Sequence, residues 1–265
     1  MKTIEAMVAN FVLKGMTVNQ AESYVCQKIV LNKIAKSPLS NKVLIKGGVV
    51  MYNITHNLRR TTLDLDFDFI QYDISEDSII RFIDLLNIYD TQYIIVIKKV
   101  DELHQEDYQG KRVFALIKDS TAELNFKMDI GVHTLTSIKQ KEMLFSFDDG
   151  DISLIINPPE QIFTEKLYSL LKHSHLSTRF KDIFDMYYLI NEKYLNNAIV
   201  KQIINELLDK NEGIVLKESI YKTVSDIFHK ERYISHFNTT KEKWIDVDYL
   251  TITETILNFL RKLNI

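Results

Sequence analysis

From Leu63 to Phe69 the chain reads Leu-Asp-Leu-Asp-Phe-Asp-Phe, and strict alternation of this kind can be half-buried in one regular way only. Successive side chains of a β-strand point to opposite faces. Leu63, Leu65, Phe67 and Phe69 therefore share one face, and Asp64, Asp66 and Asp68 the other. A helix would scatter both sets around its circumference. The apolar face requires a core, and the carboxylates, which repel one another, require solvent, a cation or a partner. A strand over Asp64–Ile70 is the first fixed point of the fold, and its acidic face is the first candidate site.

Around this strand the periodicities divide the chain. TIEAMVANFVLKGM reads as a helix, and a second helix starts at TVNQAESYVCQKIVLNKIA, where Thr17 and Gln20 have capping-box spacing. VLIK (Val43–Lys46) is a short strand ending in Gly47-Gly48, and VVMYNITHN after it suits a short helix. SEDSIIRFIDLLN reads as a helix capped at Ser75 or Asp77. TQYIIVIKKV, KRVFALI, AELNFKMDIGVH and DISLIIN then read as strands. At NPPEQIFTEKLYSLL the character changes: Asn157 is placed as a cap, the prolines occupy the first turn, and Glu160 follows three residues on. From there to Ile265 helical period dominates. With only 7 Gly and 3 Pro in 265 residues, no flexible linker separates the halves.

Composition excludes more than it selects. A hydrophobic fraction of 46% with 26% charged residues is that of an ordinary globular chain with an ample core. The net charge of −3 gives no global nucleic-acid signal, so an RNA partner needs a local basic patch. KHSHLSTRFK (Lys172–Lys181) is one candidate, with Lys98-Lys99 and Lys111-Arg112 as smaller ones. The single Cys26 lies in an apolar-periodic segment, rules out an internal disulfide and fits a reducing compartment. No secretory signal or membrane-spanning apolar run is present, so the expected location is cytoplasmic, with no membrane partner.

Asp64 and Asp66 have the spacing that lets two oxygens on one strand face reach one or two Mg²⁺ ions. For an isolated Asp-x-Asp, a solvated face of an edge strand is the commoner outcome. Two neighbours favour a site: the glycine pair, where backbone without Cβ can approach phosphate, and NFKMDIGV, where Lys127 and Asp129 share one face while Phe126, Met128 and Ile130 share the other. A third carboxylate on a neighbouring strand completes a metal triad and can serve as base for an attacking hydroxyl.

These residues resemble the AbiEii/AbiGii-type nucleotidyltransferase toxins, of the DNA polymerase β-like superfamily. The likeness rests on four blocks in order: Lys46-Gly47-Gly48 with Arg60-x-Thr62-x-Asp64-x-Asp66-Phe67, then Lys127 and Asp129, then Glu165-Lys166-Leu167, then Arg179-x-Lys181-Asp182-x-x-Asp185. They span roughly residues 43–190, and residues 191–265 match in helical character only. The fold it implies is α+β: a nucleotidyltransferase-like mixed sheet flanked by helices over 1–157, followed by a helical bundle over 158–265.

The resemblance implies Mg²⁺- or Mn²⁺-dependent transfer of NMP from an NTP. Asp64, Asp66 and Asp129 would be the metal ligands and, with Lys166, the catalytic set. Lys46, Gly47, Gly48, Arg60, Thr62, Lys127, Glu165, Lys181, Asp182 and Asp185 would bind the nucleotide. Arg60 would clamp phosphates or orient the Asp-x-Asp loop, Lys166 would extend an ammonium toward the triphosphate, and Asp182 or Asp185 would hold Lys166 or Arg179, or contact the nucleotide. The implied acceptor is tRNA or another RNA, and the implied protein partner is the cognate antitoxin of a toxin–antitoxin or abortive-infection system. A protein-modifying transferase and a silent binding module of the same fold remain as alternatives. The superfamily's Gly-Ser is Gly-Gly here, and 15 residues separate Gly48 from Asp64, a longer loop than usual. Asp68 is expected to be peripheral, at the strand's solvent end, and Arg59 at the surface. For His173 and His175 an acceptor-binding lip is favoured over a metal. Asp148–Asp151 is expected to be a polar turn, and Trp244 a packing anchor.

Overall fold

The computed structural model describes residues 2–105, 108–135, 138–210 and 218–265. The chain is α+β, with a mixed seven-stranded sheet, and it divides into two compact units, Met1–Thr134 with Gln140–Asn157, and Leu135–Lys139 with Pro158–Ile265.

In the first unit, α1 (Ile4–Leu13) and α2 (Val18–Lys36) precede β1 (Val43–Ile45), α3 (Gly47–Thr55) and β2 (Leu65–Phe69). Next come α4 (Glu76–Tyr89), β3 (Ile94–Gln105), β4 (Tyr108–Lys118), β5 (Glu123–Val132), β6 (Lys141–Phe147) and β7 (Gly150–Ile156). The strand order is β3-β4-β5-β2-β1-β7-β6, so β2 is interior, parallel to β5 and antiparallel to β1. An interior position answers the edge-strand alternative: β2 has ladder partners on both sides.

Local chemistry sets the boundaries. Thr17 and Gln20 form the reciprocal capping box, and Ser75 caps α4 by accepting from Ser78 N. The core face of β2 carries Leu65, Phe67 and Phe69, all fully buried, with the Phe82 ring of α4 centred 5.9 Å from Phe67 and 5.0 Å from Phe69. The Phe69–Phe82 pair is edge-to-face, an arrangement that adds about 1 kcal/mol beyond its buried area. Cys26 is wholly buried, and desolvation pushes its thiol well above the usual range.

The structure corrects several expectations. β2 begins one residue late, and Leu63, expected on the core face, is 46% exposed. β6, KEMLFSF, was not expected as a strand. Its alternation is broken by Met143-Leu144-Phe145, and it is held by antiparallel pairing to β7 across the turn at Asp148-Asp149 and Gly150, where φ is +128°. That turn is polar as expected, and its charges are met by Lys14 on Asp148 at 3.2 Å and the buried Lys28 on Asp149 at 2.8 Å. Asn157 is not a helix cap. Its N–H donates to Ile45 O at 2.9 Å, prolonging the β1–β7 ladder, while Pro158 takes the cap position of α5.

The second unit is helical among its described residues: α5 (Pro159–His173), α6 (Phe180–Asn191), α7 (Asn197–Lys210), α8 (Ile220–Phe228), α9 (Glu231–Thr239) and α10 (Tyr249–Leu263). Helical continuity across 211–217 lies outside the described residues. Its core is aromatic, with Phe184 and Phe237 stacked at 5.3 Å and Trp244, 1% exposed, against Tyr188 at 5.4 Å. No helix among the described residues is long and apolar enough to cross a membrane.

Candidate active site

Parallel pairing of β2 with β5 puts Asp66 directly opposite Asp129, and antiparallel pairing of β5 with β4 puts Arg112 opposite Asp129. Asp66, Asp129 and Arg112 thus form one row across three adjacent strands. The clean alternation of burial along β5, with Leu124, Phe126, Met128 and Ile130 inside, turns Lys127 and Asp129 to the acidic face.

The approach to β2 is fixed from below. Gln27, buried on α2, donates its Nε2 to Thr62 O at 2.9 Å and Asp64 O at 3.2 Å, and Gln20 donates to Thr61 Oγ1 at 2.9 Å. The glycine pair supplies clearance on the other side. Gly47 has φ +65°, and a Cβ there would lie 2.9 Å from Asp66 Oδ2; one on Gly48 would lie 2.7 Å from the Thr62 Cβ. The space a side chain would fill is taken by Asp66 and Thr62, so the pair seats those residues against the start of α3. From the sequence, that clearance is expected to serve the approach of phosphate.

Asp68 overturns its peripheral assignment. It is 4% exposed and receives the Lys46 ammonium at 3.1 Å, as an interior strand position requires of a buried carboxylate. Arg60 is also buried, at 3% exposed, whereas Arg59 is exposed as expected.

Two cations meet the acidic row. Lys127 Nζ lies 2.9 Å from Asp64 Oδ1, with the side chains 45% and 40% exposed. Arg112 grips Asp129 with both prongs, Nε to Oδ1 at 2.8 Å and Nη2 to Oδ2 at 2.7 Å. The hydrogen-bonded Asp129, then the fields of Asp64 and Asp66, push the guanidinium still further above its already high range. In the sequence Arg112 stands out only as half of a basic pair, and Gln27 carries no signal of its own. Alternation puts Arg112 on one face or the other of β4, but only the strand register brings it to Asp129.

The oxygen-only donors Asp64, Asp66 and Asp129 are the kind that Mg²⁺ takes alongside phosphate oxygens and water, so the residues fit such an ion in kind. Among the described residues no three His, Cys, Asp or Glu side chains are gathered as a ready-made metal group. In this state Asp64 lies on Lys127 and Asp129 on Arg112. A cavity of about 220 Å³ elsewhere in the unit is lined by Tyr24, Gln27, Tyr52, Phe145 and Phe147 among others, and includes none of the three carboxylates.

In the helical unit the structure brings Lys166, Asp182 and Asp185 together. Lys166 Nζ pairs with Asp182 Oδ1 and lies 2.9 Å from Asp185 Oδ2; Asp185 is fully buried. The three-residue spacing puts both carboxylates on one face of α6, as the pattern predicts. Glu165 accepts from Gln161 Nε2 at 2.8 Å, and the Lys181 backbone N–H donates to Glu242 Oε2 at 3.2 Å.

A family model described as "Nucleotidyl transferase AbiEii toxin, Type IV TA system" matches residues 29–250. Among solved structures, the chain is similar to JHP933 from Helicobacter pylori, at 15% identity and TM-score 0.53, over 94% of this chain and 93% of that one. It is also similar to a putative nucleotidyltransferase from H. pylori, at 15% identity and TM-score 0.51, over 91% and 92%. At such identity these likenesses concern the fold. No curated protein matches the chain.

Proposed function

The chain belongs to the AbiEii nucleotidyltransferase toxin family of type IV toxin–antitoxin systems, and on that premise we propose that it transfers NMP from an NTP, with Mg²⁺ bound, to a hydroxyl at the acceptor end of tRNA. The observation that carries this reading is the register pairing of Asp66 with Asp129, with Asp64 two residues before Asp66. In it, residues 1–157 are the catalytic domain and 158–265 a helical domain, acting in the cytoplasm where NTP and tRNA are found. An antitoxin opposes the activity.

Asp64, Asp66 and Asp129 would hold Mg²⁺, which supplies charge neutralisation to the triphosphate. Gly47, Gly48 and Gln27 keep the Asp-x-Asp segment in place, Lys46 balances the buried Asp68 beside it, and the family motif assigns Arg60 to clamping phosphates or orienting that segment. The acceptor oxygen forms a bond to the α-phosphorus as the bond from that phosphorus to the bridging oxygen breaks. The hydroxyl proton passes to a carboxylate oxygen of Asp129, and pyrophosphate leaves with the bonding pair. Lys127 neutralises phosphate charge. Most of the rate then comes from positioning and fixed charge.

The test incubates the protein with Mg²⁺, total tRNA and each α-labelled NTP, beside Asp66→Ala. The expected result is label on tRNA, reduced on the order of a thousandfold in the variant. Label on a protein would move the acceptor to a side chain. No label, together with no metal-dependent NTP binding, would overturn the transferase reading in favour of a binding module.

A further inference from the structure

We propose that the two cations on the acidic face act in opposite directions on metal loading: Arg112 holds Asp129 in its ligating direction, and Lys127 competes with the metal for Asp64 until a nucleotide draws it away. The proposal rests on the transferase reading above and concerns how its site is loaded.

The two contacts differ in every respect that matters. Arg112 is the cross-strand neighbour of Asp129 and makes two parallel hydrogen bonds of 2.8 and 2.7 Å, a fork that fixes the carboxylate plane as well as its distance. An ionised carboxylate has about four lone-pair sites. The fork uses two, so both oxygens of Asp129 can still accept a metal or a proton. Arg112 cannot shed its proton, and the hydrogen bonds to Asp129 hold it there.

Lys127 is placed otherwise. It makes one contact, 2.9 Å to Asp64 Oδ1, from a flexible stem 45% exposed, and it lies two residues from Asp129 on the same face of β5. An ammonium on that oxygen occupies the place and repels the charge of a divalent ion. Among the described residues no second ion pair fixes its direction, and a phosphate arriving above the acidic row offers an equivalent anion. Lys127 therefore exchanges Asp64 for phosphate as the metal–nucleotide complex arrives, whereas Arg112 stays. Metal without nucleotide meets a site already partly neutralised, which couples metal loading to NTP.

Mn²⁺ retained with the protein in equilibrium dialysis, with and without a non-hydrolysable NTP analogue on both sides of the membrane, tests both halves without turnover. Lys127→Met should bind Mn²⁺ alone about threefold to tenfold more tightly than wild type, as release from a half-exposed pair allows, and should lose most of the gain that the analogue brings. Arg112→Lys keeps the charge and loses the fork, and should bind Mn²⁺ roughly fivefold more weakly in both conditions. Thermal melting and near-ultraviolet circular dichroism establish that each variant is folded. Equal or weaker Mn²⁺ binding by folded Lys127→Met overturns the competition, and unchanged binding by folded Arg112→Lys overturns the positioning role. If wild type binds no Mn²⁺ even with the analogue, the metal site itself fails and the transferase reading with it, an outcome distinct from either variant result.

Discussion

The acidic face of the sheet and the Lys166 cluster of the helical unit are mirror arrangements of the same chemistry. On the sheet, Asp64 and Asp129 each meet one cation, with side chains 23–45% exposed; on α5 and α6, one ammonium lies between two carboxylates, and Lys166 and Asp185 are 11% and 0% exposed. Exposure decides what each can do. A half-exposed ion pair contributes about 0.2–1 kcal/mol and exchanges partners easily, whereas removing one partner from a buried pair costs about 3–5 kcal/mol, because the other charge is left in low dielectric. The sheet face is suited to binding and release, the helical cluster to holding one direction.

The comparison would break first at Asp185. Asp185→Ala should lower stability by about 3 kcal/mol, read as a shift in urea midpoint at unchanged slope, since Asp182 can compensate only in part. A change below about 1 kcal/mol would put the cluster in the same class as the sheet pairs. Next is Gly47→Ala, which places a side chain at φ +65° and 2.9 Å from Asp66 Oδ2. It should cost about 1–3 kcal/mol, and nucleotidyl transfer should fall further than the loss of folded protein explains, because Asp66 has to move.

A third lysine sharpens the contrast. Lys33 is fully buried, and its ammonium donates to Leu86 O and Asp90 O, carbonyls at the end of α4, with no carboxylate oxygen among its hydrogen-bond acceptors in the described residues. Burial pulls it down to about 8, with nearby Asp90 opposing that shift. The folded value is below the unfolded one, so the unfolded chain binds more protons between them. Wild type should therefore gain stability relative to Lys33→Met as pH rises from 8 toward 10, by up to about 1.4 kcal/mol per pH unit. Urea midpoints of both proteins at pH 7, 8, 9 and 10 check this, and parallel curves would refute it. Tyrosines whose ionisation burial also opposes act equally in both proteins.

The smallest effect is expected at Lys127. Lys127→Met should change stability by less than about 1 kcal/mol in thermal or urea unfolding. A larger loss would mean that the Lys127–Asp64 pair is structural and unsuited to exchange.

Much of this was legible beforehand because it depends on neighbours along the chain. Alternation fixed the faces of β2 and β5, the Thr17–Gln20 spacing gave the capping box, and three-residue spacing put Asp182 and Asp185 on one side of α6. The misreadings involve partners distant in sequence. Asp68 is indistinguishable from Asp66 by pattern, yet β2 is interior and Lys46 lies beside it. Asn157 has the look of a cap because prolines follow it, and the β1–β7 ladder claims its N–H instead. Strand β6 has weak alternation and depends on β7 for its pairing.

The sequence alone therefore determined which residue types share a face and in what order the motif blocks come, since side-chain direction follows from backbone period. Only the tertiary structure decided which face meets which. Register is a long-range property, fixed by burial of Leu65, Phe67 and Phe69, the two rings against Phe82 of α4, and by the parallel pairing of β2 with β5. A slip of one residue would turn every side chain of β2 to the other face, and it is the absence of that slip that sets Asp66 beside Asp129 and Arg112 beyond it.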